Sequence, residues 1–347
     1  MTRRLRVAVA GCGDISAVHL AAIGDSPDAE LVAVCDPDTD RLDKTATAVG
    51  VPGYTDHLTM LDEARPDVVH VCTPHATHAD IAVDALERGI HVLTEKPLAA
   101  SREGAARIAD AAARSAARLG VCFQNRYNTT ARRAKDILDS GELGAVRGAW
   151  ATVLWHRPPE YYRARPWRGT WDGGGGGLLM NQAIHTVDLL QWLLGDVVDM
   201  AGAAGTRVLG DVIDVEDTAD LVLTHAAGAR SVMFATLAHL ANEPVSIEIS
   251  AERGRLSLSV DLVISRADGS REVVTEDAAA TGGRDYWGGA HVRLIQDFYR
   301  TIDAPGSFWI DADEARKSLE IIQRVYDASY THRPAAGDRD RERSTTL

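Results

Sequence analysis

From Leu5 to about Val121 the chain alternates short β-rich runs with longer helical stretches. Leu5 to Ala10, Ala29 to Cys35, Val68 to Cys72, His91 to Thr94 and Val121 to Phe123 read as strands. Ser16 to Ile23, Asp38 to Val49, Ala76 to Arg88 and Ser101 to Arg118 read as helices, with Ser101 a candidate N-cap and Glu103 suited to a first turn. Alternation at this period means right-handed β-α-β units and a parallel sheet. Such sheets hold ligands beyond the C-terminal ends of their strands, so strand-end residues are where chemistry is sought.

At 347 residues the chain is too long for most single cores, and its character changes after Phe123. The fold expected is α/β. Residues 1–123 form a Rossmann doubly wound parallel sheet, 124–332 a second α/β domain with a large, mostly antiparallel open sheet, and 333–347 a charged, disordered tail. In the second part Ala131 to Ser140 and Leu178 to Leu194 read as helices ended by Gly141 and Gly195. Val146 to Trp155, Asp217 to Thr224, Ala229 to Leu237, Val245 to Ala251 and Gly254 to Val260 have strand character. Val292 to Ile302 and Ala312 to Tyr330 read as amphipathic helices.

A net charge of −13 without a basic stripe argues against a nucleic-acid partner. No apolar run approaches the roughly 20 residues that span a bilayer, so no membrane partner is expected. The basic start, Met1 to Arg6, leads into a short apolar run that reads as a first strand rather than a signal peptide. Cys12, Cys35, Cys72 and Cys122 match neither a zinc knuckle nor a C-x-x-C pair, and read as small buried side chains in a reducing compartment. A cytoplasmic location is expected.

Gly11-Cys12-Gly13-Asp14-Ile15-Ser16 lies between a strand and a helix. Gly11 suits a tight turn, and Gly13 lets backbone N–H groups approach a pyrophosphate at the helix start. Asp36, ending the second strand, suits the adenosine ribose hydroxyls and would repel a 2′-phosphate, which favours NAD. Arg41 nearby keeps NADP open. Thr73 and Pro74 end the next strand and suit packing on a flat ring, with His78 beyond them. Glu95-Lys96-Pro97 ends the run Ile90 to Thr94 and sets one lysine where the nicotinamide should sit. Cofactor contacts are thus expected at Gly11, Gly13, Asp14, Ile15 and Asp36, at Thr73, Pro74 and His78, and at Glu95, Lys96 and Pro97.

After the glycine run Gly173 to Gly177 comes Asn181-Gln182-Ala183-Ile184-His185-Thr186-Val187-Asp188. His185 and Asp188 share a helix face, with Asn181 a turn earlier. Histidine is the side chain best suited to proton transfer near neutral pH. No second histidine stands at i+4 and no H-E-x-x-H occurs, so no metal site is expected. Between Trp155 and Trp171, Arg157, Tyr161, Tyr162, Trp167 and Arg168 mix stacking faces with fixed donors, a mix suited to the C–H faces and hydroxyl edges of sugars. Gln124, Asn125 and Arg126 should face the interdomain cleft, with Arg126 as a cofactor or substrate contact.

In this order, Gly11 to Ser16, Thr73-Pro74, Glu95-Lys96-Pro97, Gly173 to Asp188, Gly288 to His291 and Asp297-Phe298 resemble the glucose–fructose oxidoreductase/inositol dehydrogenase (Gfo/Idh/MocA) family. The resemblance implies an NAD(P)-dependent enzyme moving hydride between nicotinamide and a secondary alcohol or ketone of a sugar or cyclitol. It also implies a homodimer or homotetramer joined through the open sheet. By motif position Lys96 matches the family's active-site lysine and His185 its catalytic histidine. Substrate contacts are expected at Lys96, Arg126, Arg157, Trp167, Arg168, Asn181 and His185. Asn181 stands where the family often has aspartate, which puts a carboxylate-assisted relay at that position in doubt. Two other readings use the same fold: an NAD-dependent glycoside hydrolase with no net redox turnover, and a non-enzymatic nucleotide sensor, which would not need Lys96 with His185.

Overall fold

A computed structural model describes residues 3–276 and 289–330 of the chain. The expected tail 333–347 and Gly288 lie outside the described residues. The first sheet contains β1 (Leu5–Ala10), β2 (Ala29–Cys35), β3 (Gly53–Tyr54), β4 (Val68–Val71), β5 (His91–Thr94) and β6 (Leu119–Val121). All six strands are parallel, in the order β3-β2-β1-β4-β5-β6. Residues Val68–Val71 are buried throughout, as a strand covered by helices on both faces must be. The strand order reverses between β1 and β4, which opens a crevice at their C-terminal ends.

Helices α1 (Ser16–Gly24), α2 (Thr39–Val49), α3 (His57–Ala64), α4 (His78–Glu87) and α5 (Arg102–Arg114) connect these strands. Asp38, Asp56 and Ser101 cap three of them, their side chains accepting the backbone N–H of Arg41, Thr59 and Gly104. Helix α5 stops four residues short of the expected Arg118, because Ser115 turns extended and its hydroxyl donates to Leu86 O at 2.7 Å. The sixth strand lies at Leu119–Val121 rather than Val121 to Phe123, since Phe123 already enters a 3₁₀ turn over Gln124–Tyr127. Strand β3 and helix α3 were not legible in the periodicity.

The second sheet contains β7 (Val146–Leu154), β8 (Val197–Gly205), β9 (Thr218–His225), β10 (Arg230–Thr236), β11 (Ser246–Ala251), β12 (Gly254–Leu258), β13 (Leu262–Arg266) and β14 (Arg271–Val274), in the order β14-β13-β12-β11-β7-β10-β9-β8. Among the described strands of this sheet only β7 and β10 run parallel; the other pairs are antiparallel. Helices α6 (Thr129–Ser140), α7 (Pro159–Arg163), α8 (Trp171–Gly174), α9 (Ile184–Leu194), α10 (Gly289–Arg300) and α11 (Ala312–Ser329) complete the described chain. Helices α6, α9 and α11 pack on the sheet, while α10 and α11 also return to α1 and α5 of the first layer. On the other face Trp150, Val232 and Phe234 stay exposed, with Trp150 beside Val232 in register. The outermost strands β8, β13 and β14 escaped the sequence reading because they are short or rich in small and charged residues.

Candidate active site

A cleft of about 1490 Å³ runs from the glycine turn to the second sheet. Gly11 has φ +93°, and a Cβ there would stand 2.6 Å from Cys72 O, so only glycine allows β1 to turn beside β4. A Cβ on Gly13 would meet nothing within 4 Å, which leaves the start of α1 open to the cleft. Asp36 accepts the N–H of Cys12 at 2.8 Å and of Asp38 at 2.9 Å, and both its oxygens lie 3.1 Å from Arg41 Nη1. An open helix start beside a strand-end carboxylate fits a dinucleotide. Ile15, Thr73 and Pro74 also line this end.

Lys96 reaches into the cleft from the end of β5 and donates from Nζ to Asn181 O at 2.8 Å. Residues Leu179–Ala183 form a π turn ahead of α9. Its wider winding shifts the hydrogen-bond register, and π turns recur at functional sites for this reason. Asn181 thus holds Lys96 through its main chain, a role independent of asparagine or aspartate. Its side-chain Nδ2 donates to Tyr161 Oη at 3.3 Å. Burial chiefly, with the charge of Arg168, pushes the Lys96 ammonium down to about 8, although Glu95 opposes the shift. His185 lines the same cleft. Burial and then the nearby Lys96 charge hold its imidazole well below its usual range, so it stands neutral at pH 7. Its Nδ1 finds no hydrogen-bond partner among the described residues.

The Trp155 to Trp171 segment folds over this site. The Arg157 guanidinium stacks on Trp155 and Tyr161 at 4.9 and 5.3 Å, and that of Arg168 on Tyr161 and Trp167 at 4.6 and 5.5 Å. Asp14 joins the two sides of the cleft, accepting from Arg165 Nη2 at 3.0 Å and Arg168 Nη2 at 3.1 Å. Gly175, at φ +70°, passes so close to the β5 loop that a Cβ would lie 2.2 Å from Ala100 O. The glycine run is therefore a packing requirement of the α8 turn.

Several expected contacts are relocated. Arg126 is 1% exposed and faces away from the cleft. Its Nε and Nη2 donate to Asp188 at 2.8 and 2.7 Å, its Nη1 lies 2.9 Å from Glu314, and Trp192 and Trp309 flank it. Asp188 therefore serves Arg126 and not His185. His78 is fully buried, with Nδ1 2.8 Å from Pro97 O and Nε2 3.0 Å from Thr73 O. It ties two cofactor-side loops together instead of touching the cleft. Pro97 is likewise buried behind Lys96. Gln124 and Asn125 do line the cleft.

Residues 5–123 match an oxidoreductase family with an NAD-binding Rossmann fold, and residues 131–257 match the GFO/IDH/MocA C-terminal domain. The WlbA dehydrogenase from Bordetella pertussis, solved with NADH and UDP-GlcNAcA, is 30% identical, with TM-score 0.82 over 94% of this chain and 97% of that one. The chain belongs to the Gfo/Idh/MocA oxidoreductase family. It is also 29% identical to D-apiose dehydrogenase of Paraburkholderia graminis over 78% of this chain and 72% of that enzyme. Myo-inositol 2-dehydrogenase of Thermotoga maritima is 26% identical, covering 81% of each chain. As a member of this NAD-binding family of sugar and cyclitol dehydrogenases, the chain takes NAD as its cofactor. No helix among its described residues is long and apolar enough to cross a membrane.

At the floor of the cleft this Gfo/Idh/MocA protein holds a polar cluster that sequence reading missed. Glu95, 5% exposed, accepts from His19 at 3.0 Å, and His291 Nε2 lies 3.3 Å from the same oxygen but off the hydrogen-bond direction. Burial opposes the charge, yet the hydrogen bond from His19 chiefly holds the Glu95 carboxyl well below the usual carboxylate range. Its carboxylate is thus held by histidines at the floor of the cleft, which Glu95 and His291 line together with Lys96. His19 points inward from α1, and nothing in an isolated Ser16 to Ile23 helix marks it. All four cysteines are free and buried, and burial raises each thiol, Cys12 to about 11 and Cys35 to about 12, as expected of inert side chains.

Proposed function

We propose that this chain is an NAD-dependent dehydrogenase or reductase acting on a secondary alcohol or ketone of a sugar, cyclitol or sugar derivative. The observation that carries the reading is that Lys96 and His185 open on one cleft beside the glycine turn. Bound NAD supplies the hydride acceptor, and its reduced form the donor. Removing hydride from an alcohol carbon without its hydroxyl proton would leave a high-energy protonated carbonyl. His185, neutral at pH 7, takes that proton, and returns it in the reverse direction. The Lys96 ammonium, aimed by Asn181 O, donates to the developing alkoxide. A preorganised donor of this kind is worth about 10²–10³ in rate. Arg157, Trp167 and Arg168 offer the substrate stacking faces and donors.

The kinship with WlbA adds nucleotide-sugar acids to the substrates to be tried. We also infer a homo-oligomer joined through the outer face of the second sheet, where Trp150, Val232 and Phe234 form an exposed apolar stripe. The test is a panel of inositols, free sugars, lactones and nucleotide-sugar acids with NAD and NADP, read by absorbance of the reduced cofactor. Turnover is expected with at least one polyol. Lys96→Met should lower kcat about 10²–10³-fold and His185→Gln about 10²–10⁴-fold, with NADH binding retained. Full turnover in either variant would refute the assignment of that residue. Release of an aglycone without net reduced cofactor would move the chain to the hydrolase reading.

A further inference from the structure

A line of buried side chains leads away from Lys96 into the joint between the two layers. His19 Nε2 lies 3.0 Å from Glu95 Oε1, His19 Nδ1 lies 2.8 Å from His70 Nδ1, and His70 Nε2 lies 2.8 Å from Tyr299 Oη. His19 and His70 have no exposed surface, and Tyr299 is 4% exposed. These groups come from α1, β4, the end of β5 and α10, so no two belong to one element.

We infer that Glu95, His19, His70 and Tyr299 form a one-way hydrogen-bond chain that seats a permanent negative charge behind Lys96, making Glu95 a positioning residue for the lysine. The polarity follows from two premises, that an ionised carboxylate only accepts and that the His19 ring carries a single proton. His19 Nε2 must then carry a proton, which leaves its Nδ1 as the acceptor in the neutral ring. His70 Nδ1 must donate to it, so His70 Nε2 accepts, and the Tyr299 hydroxyl donates. Each link is then satisfied, and burial holds the His70 imidazole well below its usual range, as its place in the chain requires. Bonds aligned in one direction polarise and strengthen each other.

The consequence falls on the ammonium. Arg168 from the loop adds positive charge near Lys96, while Cys122 beyond β6, His75 and His78 after β4, His185 on α9 and His291 on α10 are uncharged at neutral pH. Glu95 is the anion that opposes burial and Arg168. The inference rests on the reading of Lys96 as the alkoxide's donor, but its test needs no substrate. The chain has four lysines, at 44, 96, 135 and 317. In protein labelled at lysine Cε, the resonance lost in Lys96→Arg identifies Lys96 for titration.

The wild-type midpoint is expected near 8, and Glu95→Gln should lower it by about 1–3 pH units, the usual effect of losing an adjacent opposite charge. An unmoved midpoint in folded Glu95→Gln overturns the inference. Long-range ¹⁵N–¹H spectra of wild-type histidines should place the proton of His19 on Nε2 and that of His70 on Nδ1. The opposite tautomers, or an imidazolium at either ring, would overturn it without any variant. So would stoichiometric zinc in the purified protein. The donor atoms of His19, Glu95 and Cys122 lie within 4.8 Å of one another, and a cation there would claim the His19 position that the chain needs as a donor.

Discussion

Arg126→Met distinguishes a buried strut from a ligand contact. The wild-type guanidinium makes a bidentate pair with Asp188 at 2.8 and 2.7 Å, and both side chains are 1% exposed. Methionine keeps the hydrophobic stem between Trp192 and Trp309 but removes every donor. Asp188 would then be a buried charge with, among the described residues, only Ser318 left to donate to it, at 3.0 Å. Breaking such a pair from one side costs about 3–5 kcal/mol. At about 2 °C per kcal/mol for a long chain, the melting temperature should fall by about 6–10 °C. Removing both charges in Arg126→Met with Asp188→Leu should recover much of the loss, because the penalty lies mainly in the orphaned carboxylate. Calorimetry would be run beside steady-state kinetics in NAD and substrate. KM should hardly move in the variants that remain folded. A raised KM with an unchanged melting temperature would refute this account and return Arg126 to the ligand.

Other expectations concern the cleft and the outer surface. With Lys96 titrating near 8, kcat/KM for alcohol oxidation should be flat from about pH 6 to 7, halve near pH 8 and fall about tenfold per pH unit beyond about pH 9, as the ammonium is lost. His185 is already neutral over that range, so a second limb near pH 7 would contradict its depressed basicity. Asp14→Asn should free Arg165 and Arg168, speeding tryptic cleavage of the 156–171 segment and changing the NADH dissociation constant by about fivefold, the equivalent of about 1 kcal/mol of lost ion pairing; unchanged proteolysis would argue against a bridge that matters in solution. Phe234→Glu on the outer sheet face should lower the sedimentation mass to that of one 37.3 kDa chain, whereas an unaltered assembly would place the interface elsewhere.

The outline of the first layer was written in local chemistry. Gly11 before a helix, Asp36 closing a strand and Lys96 beside Pro97 can each be placed from a few neighbours, because periodicity and turn geometry act over short stretches. The histidine at 185 was visible through its motif, and so was the mixed aromatic and arginine loop. What a side chain meets across the molecule was not visible. Arg126 has the same composition whether it grips a ligand or an aspartate, and its partner stands 62 residues away. His19 and Glu95 are separated by 76 residues, and His70 and Tyr299 by 229.

The amino-acid order by itself therefore determined a dinucleotide-type parallel sheet, a strand-end lysine and a histidine suited to proton transfer. Only the tertiary structure decided that Asn181 serves through its main chain, that Asp14 bridges the cleft, and that Glu95 turns inward to histidines. The physical reason is that local propensity fixes where the backbone goes, while the partner of a buried charge is chosen by which elements the packed core brings against it.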